Sequence, residues 1–145
     1  MRFIVTTASW TGISIVVHTI ARNARGEILL LERMNTGYMD GFYSLPGGHV
    51  EPGESATHAA IREICEESEL VVEFVCPRVV MPFDGGVDII FEAQEWEGVP
   101  TIGEPDRCSR IGWFHQHLLP QNVAPFVPKA LELIENGVWY FEFHD

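Results

Sequence analysis

The chain reads as a fold of the α/β or α+β class. Three observations carry this: several short β-branched and aliphatic runs bounded by turn residues, two amphipathic helical stretches well separated in the sequence, and 46% apolar residues in a chain of 145, enough for one domain with a core over residues 1–145. No repeat or low-complexity tract interrupts it.

From the N-terminus, Gly12 to Ala21 is β-branched and aliphatic and predicts a strand. Asn23-Ala24-Arg25-Gly26 is a turn, and Glu27 to Glu32 a second strand, so the two predict a hairpin. Asn35 to Gly41 is a polar loop, and Phe42 to Leu45 is extended because Pro46 disfavours helix in the residue before it. Gly47 and Gly48 permit close backbone approach to a ligand. A helix is predicted from about Ser55 to Glu69, burying Ala60, Ile61, Ile64 and Cys65. Strands follow at 71–81 and 87–96, split by the turn Asp84-Gly85-Gly86, and Gly98 to Ser109 is a loop. Ile111 to Phe114 is a short strand. Val127 to Glu135 is the second helix, with Pro125 and Pro128 at its start and Gly137 at its end.

Charge narrows the function. Lys plus Arg number 9 and Asp plus Glu 21, a net charge of −12. Such a chain lacks the basic footprint that duplex nucleic acid requires. An anionic substrate would need its counter-charge from bound metal. Cys65, Cys76 and Cys108 are too scattered for a disulfide framework and contain no C-x-x-C, so free thiols in a reducing cytoplasm are expected. The run Phe3 to Ile20 lacks the basic start and cleavage site of a signal peptide, and no uninterrupted apolar stretch is long enough for a membrane span. His18 in an apolar strand reads as a hydrogen-bonded core residue, and His115 and His117 lack the partners of a zinc site.

The informative stretch is residues 48–70, GHVEPGESATHAAIREICEESEL. Glu63, Glu66 and Glu67 stand at i, i+3 and i+4 and project from one side of a helix. Three carboxylates there repel one another unless a cation lies among them, and hard oxygen ligands suit Mg²⁺ or Mn²⁺. An acidic solvated helix face is the plain alternative. Arg62 would make an i,i+4 ion pair with Glu66 in either case.

These residues resemble the Nudix box, G-x5-E-x7-R-E-U-x-E-E-x-G-U with U aliphatic. Gly48, Glu54, Arg62, Glu63, Ile64, Glu66, Glu67 and Leu70 match, and Leu45-Pro46-Gly47 precedes them as in the family. One position departs: Glu69 replaces the late glycine. A non-glycine there costs about 1 kcal/mol in the left-handed conformation that ends a helix and removes no ligand.

The resemblance implies an α/β/α sandwich around a mixed β-sheet and a metal-dependent hydrolase of a nucleoside diphosphate linked to another moiety. Its MutT-like branch implies (deoxy)nucleoside triphosphates, oxidised purine forms included, cleaved to monophosphate and pyrophosphate. It implies Glu66, Glu67 and the carbonyl of Gly48 as metal ligands, Glu63 as ligand or general base, and Arg62 as the residue that orients a box glutamate. Glu54 supports the junction of loop and helix. By the same resemblance Arg33, twelve residues before Leu45, contacts phosphate. Glu104 adds a metal-binding carboxylate, in competition with Glu92, Glu95, Glu97 and Asp106. Asn122 reads the base, with turn formation before Pro125 as its alternative. Tyr38, Phe42 and Tyr43 are candidates for stacking on a base, and His49 for a phosphate contact.

ADP-ribose or nucleotide-sugar hydrolysis and a catalytically silent ligand-binding module remain the alternatives. Pro82 falls too early for the proline of ADP-ribose enzymes, and no tyrosine lies between Leu70 and Trp139 as in dinucleoside polyphosphate enzymes. Trp139, Tyr140, Phe141 and Phe143 are expected to be exposed and available for a homodimer contact.

Overall fold

The computed structural model describes residues 12–144, so residues 3–11 of the run from Phe3 to Ile20 lie outside it. Nine elements follow in order: β1 (Ser14–Ile20), β2 (Ile28–Arg33), β3 (Tyr43–Ser44), β4 (Gly47–His49), α1 (Ala56–Ser68), β5 (Val71–Phe83), β6 (Gly86–Glu97), β7 (Cys108–Phe114) and α2 (Phe126–Glu135). The α/β class is realised, with a mixed sheet in the order β4-β1-β6-β5 and a second, antiparallel sheet in the order β3-β2-β7. The parallel pairing is that of β1 with β6.

The helices pack on opposite faces, and β2 shows why the sequence requires two. Its residues Ile28 to Leu31 are all buried. Alternate side chains point to opposite faces of a strand. Ile28 and Leu30 join Ile20, Val79 and Ile90 beneath Val127, Ala130 and Leu131 of α2. Leu29 joins Ala21 beneath Ile64 of α1. Ala59 and Ala60 of α1 rest on Val17 and Phe91. The buried side of α1 is therefore Ala59, Ala60, Ile64 and Ser68, whereas Ile61 and Cys65 are only partly buried.

The expected hairpin of β1 and β2 forms only at its turn. Asn23 N–H donates to Glu27 O, and Arg22 bridges to Ile28. Beyond that the strands part into different sheets, because both edges of β1 are taken by β4 and β6 and both edges of β2 by β3 and β7. The strand β4, made of the diglycine and His49, was not legible as a strand.

The end of the chain differs from expectation as well. Residues 138–143 run parallel to β5, with Val80 N–H donating to Trp139 O, Phe141 N–H to Val80 O and Phe143 N–H to Pro82 O. Phe141 and Phe143 pack on the α2-side core, while Trp139 and Tyr140 stay exposed. The tail thereby covers part of an edge strand that also carries Pro77 and Pro82, residues an edge tolerates. Among the described residues no helix is long and apolar enough to cross a membrane. Phe141→Ala should lower stability by about 2 kcal/mol, measured by urea unfolding; an unchanged midpoint would mean that the tail does not hold the edge.

Candidate active site

The site is built on the contact between β4 and α1. Leu45 and Pro46 are buried, and Pro46 O accepts from Thr19 N–H at 2.9 Å, which fixes the diglycine onto β1. His18 pairs with Gly47 and Val17 with Gly48. A side chain at Gly47 would collide with the Val17 carbonyl and the His18 ring, and a Cβ on Gly48 would lie 2.5 Å from a Glu63 carboxylate oxygen. Gly47 has no room for a side chain against the backbone, whereas a side chain at Gly48 would have to displace the Glu63 carboxylate. Gly47 N–H donates to Glu67 Oε2 at 3.0 Å.

Helix α1 begins where Ser55, in extended conformation, accepts a hydrogen bond from His58 N–H. It ends at Glu69, in the left-handed conformation with φ 61°. Its last carbonyls are satisfied from an unexpected direction. Thr101 N–H donates to Ser68 O at 2.8 Å and Gly103 N–H to Glu67 O at 3.0 Å, so the loop after β6 closes the helix end. Gly103 has no room for a side chain against the Glu66 carbonyl. The next residue is Glu104, and this docking brings its charge to bear on Glu63 and Glu67. Nothing in the sequence pattern marks Gly103; only its place beside a candidate ligand could have drawn notice.

Arg62 is the hub. Its Nε and Nη2 donate to the two oxygens of Glu54 at 2.7 and 2.9 Å. Nη1 donates to Glu63 at 2.8 Å and reaches Glu66 at 3.5 Å, while Nη2 also donates to His49 O at 3.2 Å. The expected i,i+4 pair with Glu66 is thus the longest of its contacts. Glu54 also accepts from Glu51 N–H and lies 2.6 Å from His58 Nδ1. The guanidinium, with those bonds, holds the Glu54 carboxyl far below the usual carboxylate range. Glu54 in turn raises the pKa of Arg62.

The other carboxyls are pushed the opposite way. Burial raises the pKa of Glu63; Arg62 opposes it, and Glu66 and Glu104 add to it. Burial raises Glu67 well above the ordinary value, Glu63 adds to this, and the Gly47 N–H opposes it. Among the described residues no three His, Cys, Asp or Glu side chains are already drawn around a common point. The donor set nevertheless fits a divalent cation: oxygen ligands only, with the half-buried Glu67 carboxylate, whose sole hydrogen bond among the described residues is from Gly47.

The remaining sequence-derived residues surround one loop. Arg33 Nε donates to Tyr38 O at 2.7 Å and Nη2 to Thr36 Oγ1 at 3.0 Å, with the guanidinium 5.9 Å from the Tyr38 ring centre. The Asp40 carboxylate accepts from the N–H groups of Thr36 and Gly37. Asn122 Nδ2 donates to Gly41 O at 2.7 Å from the other side. The Tyr38 ring is exposed. The His49 side chain is exposed too, and its carbonyl is what engages Arg62. Glu92, a competitor of Glu104, is committed to Arg22 at 3.3 Å.

This arrangement, a carboxylate-bearing helix held against a diglycine backbone and tied by one arginine, is the one the box motif implies. Comparison with known proteins supplies the family: residues 13–136 match the NUDIX domain, and the chain belongs to the Nudix family. The structure resembles the MutT NUDIX hydrolase of Burkholderia pseudomallei, with a TM-score of 0.75 and 30% identity, covering 82% of this chain and 95% of that one. It shares its fold with the MutT protein of Methanosarcina mazei Go1, at TM-score 0.71 and 23% identity over 88% and 97% of the two chains. In sequence it is 34% identical over 98 residues to the NAD-capped RNA hydrolase NudC of Pseudomonas putida, covering 66% of this chain and 35% of that protein. The chain spans about a third of the length of such curated relatives.

The pKa directions predict a pH-dependent effect of metal. Glu63 and Glu67 hold their protons more tightly folded than unfolded, so their burial costs little below their unfolded pKa and subtracts stability as pH rises through the raised folded values. Glu54 has the opposite sign and contributes stability that is lost in acid. A cation that binds the ionised carboxylates removes the cost at high pH. Mg²⁺ should raise Tm more at about pH 8 than at about pH 5 in thermal unfolding; equal gains would show that the ion does not use these carboxylates.

Proposed function

We propose that the chain hydrolyses a nucleoside diphosphate linked to a further group, with (deoxy)nucleoside triphosphates, oxidised purine forms among them, as substrates and monophosphate plus pyrophosphate as products. The observation that carries this is the diglycine backbone against the Glu63 and Glu67 carboxylates, with Arg62 locked to Glu54 behind them. Family members use divalent metal ions. Here Gly48 O, Glu66, Glu67 and Glu104 would hold Mg²⁺ or, in its place, Mn²⁺. The ion when bound supplies the positive charge that phosphate oxygens and the leaving phosphate require and that a chain of net charge −12 lacks.

The chain's own groups do the rest. A water oxygen attacks one phosphorus of the anhydride, the bond to the bridging oxygen breaks, and the water's proton passes to Glu63, whose proton affinity is raised by burial. Arg62 touches no substrate, since its donors are directed to Glu54, Glu63 and the His49 carbonyl. Arg33 keeps Nη1 without a hydrogen-bond partner among the described residues and turns it to phosphate. His49 contacts phosphate from the rim. Asn122, its amide nitrogen on Gly41, offers Oδ1 to the base, and Tyr38 stacks on it.

A second reading has its own support. The 34% identity to proteins named NAD-capped RNA hydrolases favours a dinucleotide pyrophosphate at the end of an RNA. A hydrolysis screen with Mg²⁺ and Mn²⁺ over canonical and oxidised triphosphates, ADP-ribose, nucleotide sugars, NAD and NAD-capped RNA separates the two, with products identified by mass. Monophosphate plus pyrophosphate supports the first. Nicotinamide mononucleotide as product moves the assignment to the second, and no product from any substrate overturns both.

Two variants test the roles. Glu67→Gln should fold, gain Tm without metal and lose turnover by about two orders of magnitude or more; wild-type rates at matched Mg²⁺ would remove Glu67 from the ligand set. Asn122→Ala should lose discrimination between purines more than overall rate, read as kcat/KM ratios; an unchanged profile would leave it as the tether of the Gly41 carbonyl.

A further inference from the structure

One ionisable pair in the interior takes no part in the chemistry above. His18 on β1 and Asp88 on β6 meet across the parallel strand pair, with Nδ1 2.8 Å from the carboxylate and 11% of each side chain exposed. Ile90 on the same strand as Asp88 is fully buried, and the Phe126 ring centre is 4.5 Å from the imidazole. Such a buried polar pair is weak evidence of stabilisation, because apolar side chains of similar size often serve as well or better.

Its position supplies a use. The imidazole lies against Gly47, where a Cβ would be 2.5 Å from His18 Cδ2. Gly47 is the residue that holds Glu67, and Gly48 beside it meets Glu63. On the other side, Phe126 opens α2 four residues beyond Asn122, whose side chain holds the Gly41 carbonyl. The pair therefore lies between the diglycine that meets the carboxylates and the start of α2, which follows the Asn122 segment. Asp88 occupies Nδ1, which leaves Nε2 as the ring's remaining hydrogen-bonding atom, without a partner among the described residues.

We propose that His18 is a specificity-determining residue that hydrogen-bonds the nucleotide base through Nε2, and that Asp88 is the positioning residue that sets its ring. This rests on the nucleotide reading given above. The test compares wild type with the double variant His18→Leu/Asp88→Val and with His18→Gln, measuring Tm and the dissociation constants of four nucleoside monophosphates. Wild type should bind the four with different affinities. The apolar pair should keep or raise Tm while the spread of affinities contracts by about tenfold. A lower Tm with the spread intact would make the pair structural and overturn the inference. Should the double variant fail to fold, His18→Gln decides: it carries a differently placed polar group and should change the order of preference, and an unchanged order and spread would overturn the inference. A wild type that binds no monophosphate, or all alike, would sink the nucleotide reading and this inference together. A discriminating wild type matched by its variants would sink this inference alone.

Discussion

The site depends on one guanidinium. Arg62 is shared among Glu54, Glu63, Glu66 and the His49 carbonyl, so it joins the loop before α1 to the acidic face of the helix itself. Without it, four glutamates within fourteen residues would have to keep apart, since two like charges 4 Å apart near a protein surface repel by about 4 kcal/mol at an effective dielectric of 20. The planar fork matters as well as the charge. Two parallel bonds to Glu54 leave a third donor aimed along the helix at Glu63, a geometry an ammonium group does not reproduce.

What Arg62 does not reach defines the chemistry. Glu54 is fully compensated and Glu63 partly, while Glu67 has one backbone N–H and the charge of Arg33 against burial and two carboxylate neighbours. The imbalance is a local demand for positive charge. It would reconcile an acidic protein with the anionic substrate proposed for it, because the charge that attracts phosphate need not be carried by the chain.

Backbone contact is the second constraint. Gly47, Gly48 and Gly103 each stand where a side chain would collide with a neighbouring strand, a carboxylate or the helix end. The first two bring β4 against α1, and the third lets the loop after β6 seal the last carbonyls of α1. That seal is the context of Glu69: a non-glycine in the left-handed conformation carries a modest strain, and the loop holds the helix end in place around it.

Legibility follows the range of the forces involved. The helix over the box, its start near Ser55 and the common face of Glu63, Glu66 and Glu67 were readable because helical periodicity acts within a few residues. The strand at β2 was likewise readable, whereas its burial on both faces was shown by the structure. Which edges pair was not readable. Parting β1 from β2, building β4 from a diglycine, and docking Gly103 on α1 all join segments whose meeting depends on how the whole sheet is filled. The same holds for the partner of His18: a hydrogen-bonded core residue was expected, but Asp88, seventy residues away, is reached only once β1 and β6 pair in parallel with His18 beside Ile90 and Asp88 beside Val16. Sequence determined the family, the carboxylate helix and its appetite for a cation. Tertiary structure decided which backbone meets those carboxylates and which polar groups lie beside that contact, because those contacts form between strands and loops that no local pattern connects.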